Sequence, residues 1–223
     1  MRRIIISFLT IIVLTWTTVP AAVKDVEVKG KQLISQKPPF TLTLPSEFRL
    51  IHSFSHENPK ENSLTRVYFL VMERNKQLEE MLILQIADRT NPQASPMTAS
   101  PLRPYDEKRM YVKDKKKRGE LELDYLIQLM AWNPDAPSLQ PIRKKGIVIP
   151  SHWALQGQLL FIYHGDHAVF IRSSKDVNAF GFGVSDAGNK WEKESISGSE
   201  KKAFDIFQKS FMETIGSIQI KRP

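Results

Sequence analysis

From about residue 40 onward, apolar and polar positions alternate in short runs. Phe40-Thr41-Leu42-Thr43-Leu44 has the period of two that marks a half-buried strand. Pro45-Ser46-Glu47 turns the chain, and Phe48, Leu50 and Phe54 continue the period as a second strand. Val67–Met72 and Met81–Ile86 are apolar runs joined through Arg74-Asn75-Lys76, the form of a hairpin with a short polar turn. The clearest strand follows: Leu121, Leu123, Tyr125, Ile127, Leu129 and Ala131 share one face, with Glu120, Glu122, Asp124 and Gln128 on the other. Ile147–Ile149 is a short apolar run. Leu155–Tyr163 and Ala168–Arg172 flank His164-Gly165-Asp166-His167, where Gly165-Asp166 fits a two-residue hairpin turn.

One segment changes period. Phe204, Phe207, Phe211 and Ile215 recur at helical spacing, Ser197 and Glu200 have the form of a capping box, and Gly216 ends the run before Ile218 and Ile220. Many antiparallel strands without regular strand–helix alternation predict an α+β fold, an antiparallel sheet covered by helix that includes this C-terminal amphipathic one. Residues 22–39 read as a polar lead-in stopped by Pro38-Pro39, and residues 40–223 as a single domain. Within it, residues 88–119 read as one long loop, rich first in Pro, Ser, Thr and Asn and then in lysine. Strand signals on either side of that loop are too few for each to close a core alone.

The first residues have a different character. Arg2 and Arg3 precede an apolar run from Ile4 to Trp16, and small residues with Pro20 follow. This is the pattern of a secretory signal peptide, with cleavage after Ala21 and Ala22 as second choice. The apolar run is shorter than the roughly 18 residues a membrane span needs, and no second membrane-length segment follows. The expected location is therefore the periplasm or the medium. The absence of cysteine excludes a lipid-anchored cysteine and disulfide staples. With 41% hydrophobic and 25% charged residues, the full chain has the composition of a globular protein that relies on an ordinary core. The net charge is +8, and loss of Arg2 and Arg3 lowers it by two, to +6.

Part of that charge is local: Lys113, Lys115, Lys116, Lys117 and Arg118 fall in one stretch, suited to an envelope protein, an anionic membrane or an acidic polymer. The plain alternative is a solvated loop. Export argues against nucleic acid as a partner.

Candidate chemistry is thin, and no catalytic residue or cofactor is assigned. His52 and His56 lie four apart on a strand, about 13 Å, too far to share one ion at about 2.0–2.1 Å. His164, Asp166 and His167 are the better metal candidates, because a two-residue turn would oppose the two histidines on one face beside a carboxylate. The alternative is an exposed polar turn. Ser199-Glu200-Lys201-Lys202 matches S-x-x-K, but its companion motifs S-D-N and K-T-G are missing, and no G-x-S-x-G elbow occurs. Gly183–Lys190 approaches a phosphate-binding loop, yet Asn189 displaces the lysine and Trp191 stands where a hydroxyl is needed. Phe180, Phe182 and Trp191, interleaved with glycines, form either an aromatic lip over a ligand or partner groove or plain sheet packing.

The Phe40–Leu44 segment with Pro45, the Val67–Ile86 hairpin ending in Asp88-Arg89-Thr90, the late hairpin, and Phe207-Gln208-Lys209-Ser210-Phe211 leading to Ser217-Ile218 resemble the PsbP-like family. The likeness spans roughly residues 40–220 and departs between Asp88 and Arg118. It implies an antiparallel sheet sandwiched by helices and a non-enzymatic, exported accessory protein around membrane complexes. It implies no binding residue. The expected function is thus an exported, non-catalytic binding or assembly protein of the bacterial envelope. The alternative is a periplasmic metal protein or hydrolase using His164, Asp166 and His167.

Overall fold

The computed structural model describes residues 25–131, 133–149, 153–182 and 191–220. The leader and the Gly183–Lys190 near-motif lie outside them. Three short strands open the described chain: β1 (Val26–Lys29), β2 (Gln32–Gln36) and β3 (Pro39–Thr43). The segment read as a polar lead-in is therefore a hairpin, its apolar positions too short and sparse to give a periodic signal. Next come β4 (Arg49–Asn58), β5 (Ser63–Arg74), β6 (Gln77–Arg89), β7 (Met110–Arg118) and β8 (Leu121–Ala131). A one-turn helix α1 (Gln140–Arg143) precedes β9 (Trp153–Tyr163) and β10 (His167–Asp176). The chain closes with α2 (Gly198–Gly216) and β11 (Gln219–Ile220).

The strands form two antiparallel sheets, β1-β2-β3-β11 and β4-β5-β6-β10-β9-β8-β7. β1–β2, β2–β3, β4–β5, β5–β6, β7–β8 and β9–β10 each pair through a short turn. Arg74 pairs with Gln77, and Asn75 and Lys76 between them take φ of 51° and 62°, as a type I′ hairpin turn requires. Ile147–Ile149 does not make a strand: Val148 forms only an isolated bridge to Gln77.

One face of the large sheet carries Tyr68, Leu70, Leu82, Leu84, Leu123, Ile127, Leu159 and Phe161, and it is roofed by the small sheet together with α2. Phe40 of β3 meets Phe161 of β9 edge-on at 5.8 Å. The stripe Phe204, Phe207, Phe211 and Ile215 is buried as its spacing predicts. Ser197 is the N-cap of α2 but makes no side-chain cap bond, and the carboxylate of Glu200 accepts from Ser199 Oγ instead, so the capping box is not formed.

The expectation of a sheet covered by helix, or sandwiched between helices, is overturned. Strand makes up 51% of the described residues and helix of every kind 20%, so sheet supplies most of the scaffold. The opposite face of the large sheet is covered by two connecting segments, one of which carries the one-turn helix α1. Leu139, Ile142 and Ile147 pack on Val67, Phe69, Met81 and Ile83. The segment between β6 and β7 lays Met97 on Ala87 and Ala168, and Leu102 on Leu126, Leu160 and Phe170. The physical reason is that single apolar anchors in short turns and non-periodic segments can bury a sheet face without a long amphipathic helix. That same segment is a strap across the sheet, and its lysine-rich end is not a loop but the strand β7.

Candidate functional site

The late hairpin does not place its histidines as a metal site. Tyr163 pairs directly with His167, so the turn contains three residues, His164, Gly165 and Asp166. His164 and Gly165 both take positive φ, 51° and 71°. His164 and His167 are therefore not opposed across the ladder. The Asp166 carboxylate accepts from Arg89 Nε at 2.8 Å, while the His167 ring lies 2.7 Å from Asp88 Oδ1. Among the described residues no group of three or more His, Asp or Glu is placed to hold a metal ion. His52 and His56 lie on one side of β4 with the Phe54 ring between them, at 5.8 and 6.2 Å.

Asp88 instead belongs to a chain of buried charge that periodicity did not single out. Arg66, 3% exposed, donates to Asp25 Oδ2 at 2.6 Å, to the Lys37 carbonyl at 2.6 Å and to Asp88 at 2.8 Å. The chain Asp25–Arg66–Asp88–His167 ties the start of the small sheet to β5, β6 and β10 of the large one. Burial alone would raise the Asp88 carboxyl, but the bond from His167 and the Arg66 guanidinium outweigh it and hold the group below its ordinary value. A readable signal existed: Arg66 and Asp88 fall on the inward register of strands whose other inward residues, Tyr68, Leu70, Leu82, Leu84 and Ile86, are core. Charged residues at inward positions imply partners.

At the other end of β6, a cleft of about 130 Å³ opens between the sheet and α2. Glu80 of β6, 4% exposed, forms an ion pair with Lys175 of β10 and accepts from Ser46 Oγ at 3.4 Å. Phe180 borders the cleft, and Lys175 Nζ stands 5.3 Å from its ring centroid. The volume is below the roughly 300–1,000 Å³ typical of small-molecule sites, so the cleft holds little more than a few waters or the tip of a side chain.

The aromatic residues Phe180, Phe182 and Trp191 do not share one rim. Trp191 is fully buried in the core, Phe182 contacts it edge-on at 5.1 Å, and only Phe180 reaches the cleft.

The basic run forms the outer strand of the large sheet, and its pleat divides the charges between two faces. Lys113, Lys115 and Lys117 pair with Leu126, Asp124 and Glu122, while Asp114, Lys116 and Arg118 pair with Tyr125, Leu123 and Leu121. Lys115 forms ion pairs with Glu122 and Asp124, and those bonds raise its pKa above the ordinary lysine value. Arg118 donates to the Gly216 carbonyl at the end of α2. Lys113, Lys116 and Lys117 are exposed, and among the described residues none of them forms an ion pair. The structure thus brings all five residues to one edge and leaves three cations pointing outward.

Comparison with protein-family models, with curated proteins and with solved structures finds no match, and nothing in it bears on the PsbP-like resemblance.

Proposed function

We propose that the chain is an exported, non-catalytic binding or assembly protein of the cell envelope, and that it meets an anionic partner along β7. The carrying observation is the unequal charge of the two outer strands of the large sheet. Lysine on an edge strand is a common guard against unwanted pairing. If that were its whole purpose here, β4 would need it equally. β4 is the longer strand, with ten residues against nine, yet it carries no lysine and only Arg49 and Glu57 among its charges. The five cations are gathered on the other edge, which favours a positive docking surface over a general guard. Export is supported by the leader pattern ahead of Ala22. The side chains of the late hairpin support a non-catalytic reading, since His167, Asp88, Asp166 and Arg89 are engaged with one another as structural pairs.

The test is binding of the mature chain to anionic probes of two kinds, phosphatidylglycerol vesicles and polyglutamate. Salt-sensitive binding to at least one probe is expected. It should be lost in the variant Lys113→Glu/Lys116→Glu/Lys117→Glu, with circular dichroism showing that the fold is kept. Failure of both probes at low salt, or undiminished binding by the variant, contradicts the reading. N-terminal sequencing of protein exported with its own leader should begin at Ala22. Retention of Met1 in the envelope fraction contradicts cleavage, and recovery of the chain from the cytoplasm alone contradicts the export claim.

A further inference from the structure

Two kinds of feature meet on β7, unpaired backbone and outward cations. In an antiparallel sheet every second residue of an outer strand turns its N–H and C=O away from its neighbour. Beyond a bulge at Met110–Val112, β7 runs in unbroken register from Val112 to Arg118 against Ile127 to Leu121. Among the described residues no other segment but β8 makes a backbone hydrogen bond to this stretch, although within it the Lys115 N–H donates to Asp114 Oδ1 at 2.7 Å, a bond that an added strand would displace.

We infer that β7 takes an acidic extended polypeptide segment as an additional antiparallel strand, paired through its backbone and selected by charge. This rests on the basic-edge reading and names the partner of that edge. The placement of charge supplies the complementarity. Neighbouring strands lie about 4.8 Å apart. An added strand would be the direct neighbour of Lys113, Lys117 and the already paired Lys115 on one face, and of Lys116 beside Asp114 on the other. The acidic residues of β8, Glu122 and Asp124, would lie one strand further in, at roughly twice that spacing. That distance is about one Debye length at physiological salt, so their repulsion is largely screened while the lysines act at contact. The pleat places the free cations Lys113 and Lys117 on one face and Lys116 beside Asp114 on the other, so a segment with its carboxylates on the first face finds the stronger opposite charge. A neutral or basic segment finds none, and the lysines exclude it. A membrane surface would use the same charges but has no strand to offer the free backbone groups.

The experiment uses a peptide as long as β7, nine residues, with glutamate at alternate positions and threonine between. It is made unmodified and N-methylated on every second residue in each of the two phases. Binding to the mature chain is followed at low salt by calorimetry. The unmodified peptide and one methylated phase are expected to bind, while the other phase, whose methyl groups face β7, loses at least tenfold. Equal binding by both phases shows that charge alone is read and overturns the inference. Failure of the unmodified peptide overturns it as well. If phosphatidylglycerol vesicles still bind in that case, the basic-edge reading stands without it. If neither the vesicles nor polyglutamate bind, both fall.

Discussion

Gly157 lies in β9 beneath the Phe211 ring of α2, and a Cβ built there would come within 2.6 Å of three ring carbons. The absence of a side chain lets the helix approach the sheet closely. Gly157→Ala is expected to destabilise the fold by about 1–3 kcal/mol, the usual cost of overpacking, and Phe211→Leu in that background should recover part of it. Denaturant midpoints of the two variants check this, and a midpoint unchanged by Gly157→Ala contradicts the contact. Arg66 and Asp88 are the second residue-scale determinant. Arg66→Met should cost roughly 3–5 kcal/mol, because it leaves a buried carboxylate without its cation. Asp88 titrates below its ordinary value of 3.8 in the folded chain. Its contribution is therefore full above that value and is lost as the pH falls through the lower folded one. Asp88→Asn should flatten the acid limb of stability below about pH 4. An acid limb as steep as that of the unchanged protein would show that this carboxylate is not the one being protonated.

The elements differ in how openly their residues announce them. β8 was legible to the residue because one face is apolar throughout while the other carries Glu122, Asp124 and Gln128 among its positions, and α2 because four large apolar residues recur at helical spacing. β1 and β2 were not, since strands of four and five residues give little period. β7 was read as loop because lysine has low strand propensity and solvates well. Its strand state is imposed by pairing with β8, a tertiary effect that a local pattern does not carry. The straps were hidden for a different reason: they cover the sheet through isolated anchors. Leu102, 8% exposed, is one of these. Leu102→Ala should cost about 2–5 kcal/mol, as truncation of a core leucine does, despite its position in a proline-rich loop. A loss below about 0.5 kcal/mol, the range of ordinary surface changes, would mean that the strap does not roof the sheet. The candidate metal cluster failed for a simple geometric cause. A three-residue turn replaced a two-residue one and moved His164 out of register with His167.

At the scale of the molecule, a small sheet and α2 close one face of a seven-stranded sheet, and two connecting segments, one with the one-turn α1, close the other. Both long edges remain open among the described residues, and they differ in charge. The basic run was legible as composition, but its meaning was not. Only the fold turns five nearby cations into an edge with charge on both faces, or shows that Lys115 and Arg118 are already engaged. Among the described residues no helix is long and apolar enough to cross a membrane. Three exposed lysines near an anionic surface contribute about 1 kcal/mol each, so their joint loss should weaken binding by about two orders of magnitude. The most direct test is a salt titration of polyglutamate binding by the mature chain and by its Lys113→Gln/Lys116→Gln/Lys117→Gln variant. The account predicts affinity that falls steeply with salt in the unchanged chain and is about a hundredfold weaker in the variant at low salt. Equal affinities across the salt series would contradict it.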